Sequence, residues 1–559
     1  MSEKIGKILV VVFTCFVLLV LSYVYFEGLT KLEEAELLKN LSKKSFVKTQ
    51  LDIRDSSYGD VKEIYNKNDA LTPFYDMYQE VVDEKIEELL KDEYSLSKPL
   101  MIYNPYGTNK NSINLYFKTE DALQVEYTIQ SKGLPDFTKV LNNGSDDNLT
   151  KDHRYQLIGL VVGRENTLQI RLKNAEGEVV EEKSFDVDLR SISSAVATKL
   201  KIEDGVSKEA LSDGLYVMFG HDKAYNANNY IYDNEGILRS ELVLEDYRSD
   251  RIIFRGQSMI YSYSKNGFIE VDRLGKIVRK YTIEDYTMHH DYILDEDNDN
   301  LLILANQNGA DTIEDRILSL NLNTGKVKEL IDMKDYLKEF YDQAVVPSKN
   351  TYGGTELDWV HLNSFDIIDG EDMVLSSREL STVIYMENVY RNPKVKYVLT
   401  DDSTLANTSY KNFNYEKQGD FVSQAGQHTI TYQKGEGENQ YYLYMYNNNY
   451  QGARTRPNFN WKNYPGTGTY QEGEKSYYYQ YLVDETQKTY ELVKKIELPY
   501  SSIVSSTQHV GNHYVTSSGM SHCFDEYDAA GEMIRQFNYT SKKYAYRIFK
   551  YTFQDVWFS

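Results

Sequence analysis

The sequence predicts an all-β molecule: a small β-sandwich followed by a six-bladed β-propeller, behind an N-terminal transmembrane helix and a short helical stalk. Three observations predict it. From about Pro99 apolar and polar residues alternate, the period of a strand with one buried face. After about Ala195 a longer unit of several strands recurs six times, which suits propeller blades better than a second sandwich. The composition, with Tyr 50, Phe 21, Gly 32 and only 9 Pro, favours strands and hairpins.

In chain order, Ile8 to Phe26 is an almost unbroken apolar run long enough to cross a bilayer, with Lys4 and Lys7 before it and Glu27, Glu33 and Glu34 after it. This polarity predicts a single-pass anchor over residues 1–28 in the cell membrane, with the folded domains extracytoplasmic. No Ala-x-Ala site follows, which favours an uncleaved anchor over a removed signal peptide. Residues 29–96 read as a stalk. Thr30 to Asn68 is polar and charged, and Thr72-Pro73 then opens a helix on which Tyr75, Tyr78, Val82, Ile86 and Leu89 recur at helical spacing.

Residues 97–195 read as the sandwich, with strands around Ile113–Phe117, Val125–Ile129, Leu157–Val162, Leu168–Leu172 and Phe185–Leu189. Its lone His153 is expected to be structural. Residues 196–559 read as the propeller. Units open near Asp213, Arg251, His289, Trp359, Gln427 and Gln508, and Tyr546 to Phe553 supplies a late strand to close the ring.

A net charge of -23 disfavours nucleic acid and anionic membrane surfaces as partners, so an anionic substrate would need locally concentrated positive charge. The two cysteines, Cys15 and Cys523, build neither a disulfide framework nor a cysteine metal site.

The candidate site centres on Leu357 to Arg378, LDWVHLNSFDIIDGEDMVLSSR. Strand alternation predicts His361 and Asn363 on one face, and the Asp369-Gly370 turn brings the chain back to deliver Arg378. The first strand of each blade lines the central channel, and four consecutive units carry histidine there: His289 or His290, His361, His428 and His509. Alternation also predicts that His289 and His290 face opposite ways. Three chemistries fit such a cluster: a metal site completed by Asp291 or Asp358, a structural hydrogen-bond belt, or an anion site where Arg378, Asn363 and imidazoles grip a sulfate or phosphate ester while one imidazole attacks.

The chain also resembles the bacterial arylsulfate sulfotransferases over most of its length after the stalk. The resemblance rests on His-His-Asp at 289–291 with Asn-Asp-Asn-Leu-Leu-Ile-Leu-Ala at 298–305, Asp-Trp-Val-His-Leu-Asn-Ser at 358–364, Ser-Ser-Arg at 376–378 and Gly-Gln-His at 426–428. It implies a six-bladed propeller with an N-terminal sandwich, and ping-pong transfer of a sulfuryl group from an aryl sulfate donor to a phenolic acceptor, with no cofactor and no metal. His428 matches the nucleophile that becomes sulfated. His361, Asn363 and Arg378 match the groups that hold the sulfuryl oxygens, and His290, or its neighbour His289 in the substrate site, matches the histidine that exchanges a proton with the phenol. The family precedent also implies a homodimer. The chain departs from the family's periplasmic members in lacking their cysteine pair and in its anchor-like N-terminus, and His221 and His509 match no catalytic position. The alternatives carried forward are a metal-dependent ester hydrolase on a propeller and a non-catalytic surface propeller that binds glycans or aromatics.

Overall fold

The computed structural model describes residues 36–220, 228–350, 352–464, 467 and 474–559. The anchor expected at residues 1–28 and His221 lie outside the described residues. Among the described residues no helix is long and apolar enough to cross a membrane.

The part of the expected stalk that is described, residues 36–96, is not free-standing. Helices Lys44–Gln50 and Asp76–Leu89 flank an antiparallel pair, Leu51–Asp55 and Lys62–Asn66, and the second strand pairs in parallel with Leu100–Tyr103 of the sandwich. Val47, Leu51, Tyr78, Val82 and Ile86 are buried against Leu100, Ile102 and Tyr116. The strands LDIRD and KEIYN hide their role because their outer faces are charged, leaving too few apolar positions to display a period. Gln79 then bridges to the propeller: its Nε2 donates to Tyr106 O at 2.9 Å, and its Oε1 accepts from Ile277 N at 3.1 Å.

The sandwich is organised by one 18-residue strand, Ile113–Gln130. Its first half pairs with Leu100–Tyr103 and Thr150–Leu157, and its second half with Phe137–Val140 and Glu165–Lys173, so the strand crosses from one sheet to the other.

Six further sheets form the propeller. Blades 2, 3 and 4 each hold four antiparallel strands, running from Ile253–Arg255, Tyr286–Asp295 and Leu362–Ile368 at the inner edge outwards. Blade 5 begins with His428–Lys434 and blade 6 with Ser505–Val510. Closure differs from the expected order. The Asp213 unit was expected to open a blade from its inner edge, but Leu215–Phe219 lies second, because the C-terminal strand Arg547–Tyr551 takes the inner position of blade 1. At the other end Lys201–Asp204 adds to the outer edge of blade 6. The ring is therefore latched from both ends of the domain.

The sandwich shares a core with blade 1 and the C-terminus, where Leu141, Leu160, Phe549, Phe553, Val556 and Trp557 belong to one buried cluster. Trp557 Nε1 donates to Gln156 Oε1 at 3.0 Å across this junction.

Candidate active site

The histidines sit where the inner strands stop being regular. Pairing with the next strand shifts register between Met288 and Tyr292 in blade 3, between Leu362 and Ser364 in blade 4, and between His428 and Thr431 in blade 5. At each break a non-glycine residue takes a left-handed backbone: His290 at φ +57°, His361 at +47° and Thr429 at +56°. Such a backbone costs about 1–2 kcal/mol per residue, and the three bulges re-aim side chains as bulges do beside active sites.

These bulges overturn the alternation argument. His289 and His290 do not serve opposite faces, because both offer a ring nitrogen to a cluster within 4.8 Å that includes Glu314. Their rings meet edge to face at 5.2 Å. Nor are His361 and Asn363 a same-face pair on a regular strand. His361 precedes the strand, and the Asn363 Nδ2 donates to Gln427 O at 2.7 Å, tying blade 4 to blade 5. Arg378 does return beside His361: its N–H donates to His361 O at 3.1 Å, and its Nη1 stands 3.1 Å from His361 Nε2.

His428 is fixed by its partners. Its Nδ1 lies 2.7 Å from Asn448 Oδ1 and 3.2 Å from Gly426 O. Asn448 is oriented because its Nδ2 donates to Ser501 O at 2.7 Å. Both partners of Nδ1 are thus acceptors, so Nδ1 carries the hydrogen and Nε2 keeps its lone pair. Burial, reinforced by the neighbouring Arg378 cation, holds the His428 pKa well below the usual histidine value, and the ring is neutral.

Sequence reasoning missed the group at the centre, Glu314. It is fully buried in a loop of blade 3, with φ +60° and its N–H held by Asn306 Oδ1 at 2.6 Å. Oε1 lies 2.9 Å from His290 Nε2, and Oε2 lies 2.5 Å from His361 Nδ1. Burial favours its neutral form, but the imidazoles of His290 and His361 outweigh that and hold the carboxyl well below the usual range. Asp358 Oδ2 adds a second carboxylate to His361 Nδ1 at 2.8 Å. Burial opposes charge on His361 too, yet Asp358 and Glu314 raise its pKa to about 9. As an imidazolium it turns Nε2–H toward the Arg378 Nη1, and two donors 3.1 Å apart are relieved when an anionic oxygen lies between them.

His290 is lowered, first by burial and against the pull of Glu314. Since Glu314 can only accept, the neutral ring carries its hydrogen on Nε2, and Nδ1 accepts from the Tyr546 hydroxyl at 2.8 Å. Burial pushes His289 down to about 3, against the pull of the neighbouring Glu314 carboxylate.

His509 stays outside this cluster. It stacks on Tyr444 at 3.9 Å and meets the Tyr478 hydroxyl at 2.6 Å. His153 stacks on Phe117 inside the sandwich at 4.3 Å. Asn448, Tyr352 and Tyr546 were missed with Glu314. An Asn run at 447–449 directly after a strand was the one signal available.

The family model described as Arylsulfotransferase (ASST) matches residues 202–554, and the Arylsulfotransferase Ig-like domain matches residues 100–189. The chain belongs to the arylsulfotransferase family. It is accordingly a sulfotransferase enzyme, and the family's two modules fall on the propeller and the sandwich. No curated protein matches it. Among solved structures it is similar to a protein of unknown function from Bacteroides caccae, at 10% identity over 60% of this chain and 98% of that one, TM-score 0.33. It is also similar to an auxiliary nutrient binding protein from Bacteroides thetaiotaomicron, at 9% identity over 80% of this chain and 92% of that one, TM-score 0.32. Scores this low bear on neither fold nor activity.

Proposed function

We propose that the enzyme transfers a sulfuryl group from a phenolic sulfate ester to an acceptor phenol by double displacement, with His428 Nε2 as the nucleophile. The observation that carries this reading is the locked, neutral His428, whose Nδ1–H is committed to Asn448 and Gly426. In the first half-reaction Nε2 attacks sulfur, the N–S bond forms and the S–O bond breaks, and its electron pair leaves on the phenol oxygen. The imidazolium of His361, the guanidinium of Arg378 and the second N–H of Asn363 hold the sulfuryl oxygens as charge shifts onto them. The pair His290 and Glu314 exchanges a proton with the phenol oxygen, and His289, edge to face against the His290 ring, backs it. The reverse sequence delivers the group to the acceptor.

In this reading the propeller works outside the cell membrane on an anchor at residues 1–28, an expectation supported by the Lys4 and Lys7 flank.

Incubation with an aryl sulfate and no acceptor should add the mass of one sulfuryl group to the intact protein. His428→Ala should neither gain that mass nor release phenol. Wild-type turnover by that variant would overturn the assignment.

A metal-dependent ester hydrolase is the second reading. It is favoured by two buried triads, His289/His290/Glu314 and Glu314/Asp358/His361, each with ligand atoms within 4.8 Å of one another. A stoichiometric transition metal in the purified enzyme, with activity lost on chelation, would select it.

A further inference from the structure

Tyr352 belongs to two environments at once. The residue is 61% exposed, yet its hydroxyl donates to Oε1 of the fully buried Glu314 and lies 3.3 Å from His290 Nε2. The ring therefore enters from the solvent side and presents a phenolic hydroxyl to the histidines, which is the approach a free phenol must make. Its backbone is pinned from one side: Asn350 Oδ1 accepts from the N–H groups of both Tyr352 and Gly354 at 2.9 Å.

Glu314 Oε1 is also the atom within reach that can take a proton. His290 Nε2 already carries its hydrogen, directed at Glu314, so it can donate to a phenol oxygen but cannot deprotonate one. Glu314 Oε2 is turned toward the His361 ring, 2.5 Å from Nδ1, and Oε1 is the carboxylate oxygen that already meets a phenolic hydroxyl, that of Tyr352.

Building on the sulfotransferase reading, we propose that the acceptor phenol docks with its hydroxyl between Glu314 Oε1 and His290 Nε2, that Glu314 takes the phenolic proton, and that Tyr352 is a tethered occupant of this position which the acceptor displaces. The acceptor oxygen attacks sulfur and the O–S bond forms. The S–Nε2 bond to His428 breaks and its electron pair returns to Nε2, while the phenolic proton passes to Glu314. Because its neighbours hold Glu314 in the charged form, it passes that proton on to solvent, and the phenolate that departs in the next donor turnover recovers one from solvent. The ligand class is a flat phenol unhindered beside its hydroxyl, since a tyrosine ring already fits.

The test separates the two half-reactions. The full chain is loaded with para-nitrophenyl sulfate, whose leaving phenolate needs no protonation, and is then chased with phenol. Glu314→Gln should slow the chase about a hundredfold or more beyond any change in loading. Tyr352→Phe should lower the acceptor KM severalfold, because its ring can no longer bond Glu314. A sulfuryl group mapped to Tyr352 in loaded, acceptor-free enzyme would also support the occupancy. A Glu314→Gln chase slowed no more than its loading would overturn the proton assignment, and an unchanged acceptor KM in Tyr352→Phe would overturn the occupancy. Wild-type enzyme that never loads would instead overturn the sulfohistidine reading itself.

Discussion

Three buried histidines on adjacent inner strands hold different charge states because their neighbours differ. His428 faces carbonyl oxygens and a guanidinium and stays neutral, whereas His361 faces two carboxylates and is charged. In the proposed transfer, losing one fixed donor to the sulfuryl oxygens costs on the order of 10²–10³ in rate, so Arg378→Ala should lower kcat by about that factor in steady-state assays. Asn448→Ala frees the His428 ring to take the wrong tautomer. It should slow loading by on the order of a hundredfold, while the donor KM barely moves. The pH dependence follows from the same charges. His361 is an imidazolium below its pKa of about 9 and neutral above it, so the donor KM should rise as pH passes that value. Loading should not fall on the acid side until well below the ordinary histidine pKa, because His428 is hard to protonate.

At the scale of the element, the blades were legible because apolar alternation and turn residues recur along each unit, as in Asn300–Gln307 between its two neighbours. The site was legible in its residue types and in which blades carry them, but its geometry was not. A bulge has no residue signature: His290 and Thr429 are ordinary strand residues, His361 stands just before its strand, and all three are held at positive φ by their surroundings. Glu314 was invisible for a different reason. It is one carboxylate among 85 Asp and Glu, and its meaning comes from the fold that buries it beside imidazoles. The inner place of Arg547–Tyr551 was likewise unreadable, since an apolar run does not say which edge of a sheet it joins. The junction it leads into can be measured. Trp557 stacks on Phe553 at 4.6 Å and donates to the sandwich. Trp557→Ala should lower unfolding free energy by about 3–5 kcal/mol in denaturant titration.

For the whole molecule, histidines whose burial outweighs any charged neighbour set the acid limit. Burial holds His153 and His509 at about 4 and His289 at about 3. Between those values and the ordinary histidine pKa, the unfolded chain binds protons that the folded chain refuses. Stability therefore rises with pH across that window and is lost as pH falls through it. Thermal melts should show Tm dropping between about pH 6.5 and pH 4, and His153→Phe should flatten part of that slope. Double latching at Lys201–Asp204 and Arg547–Tyr551 means either end, if removed, exposes a blade edge, so a chain ending before Arg547 should aggregate.

One residue of that closing strand does more than latch. Arg547 leaves blade 1, pairs with Asp291 of blade 3 at 2.7 Å and reaches within 3.5 Å of Asn363 O in blade 4, on the opposite side of a six-blade ring. Its guanidinium thus reaches across the axis from one side of the ring to the other, and Arg251 Nε holds the same Asp291 carboxylate at 3.2 Å. With that cation on the axis, the proposed donor and acceptor should reach the histidines from the same side of the ring and take turns there.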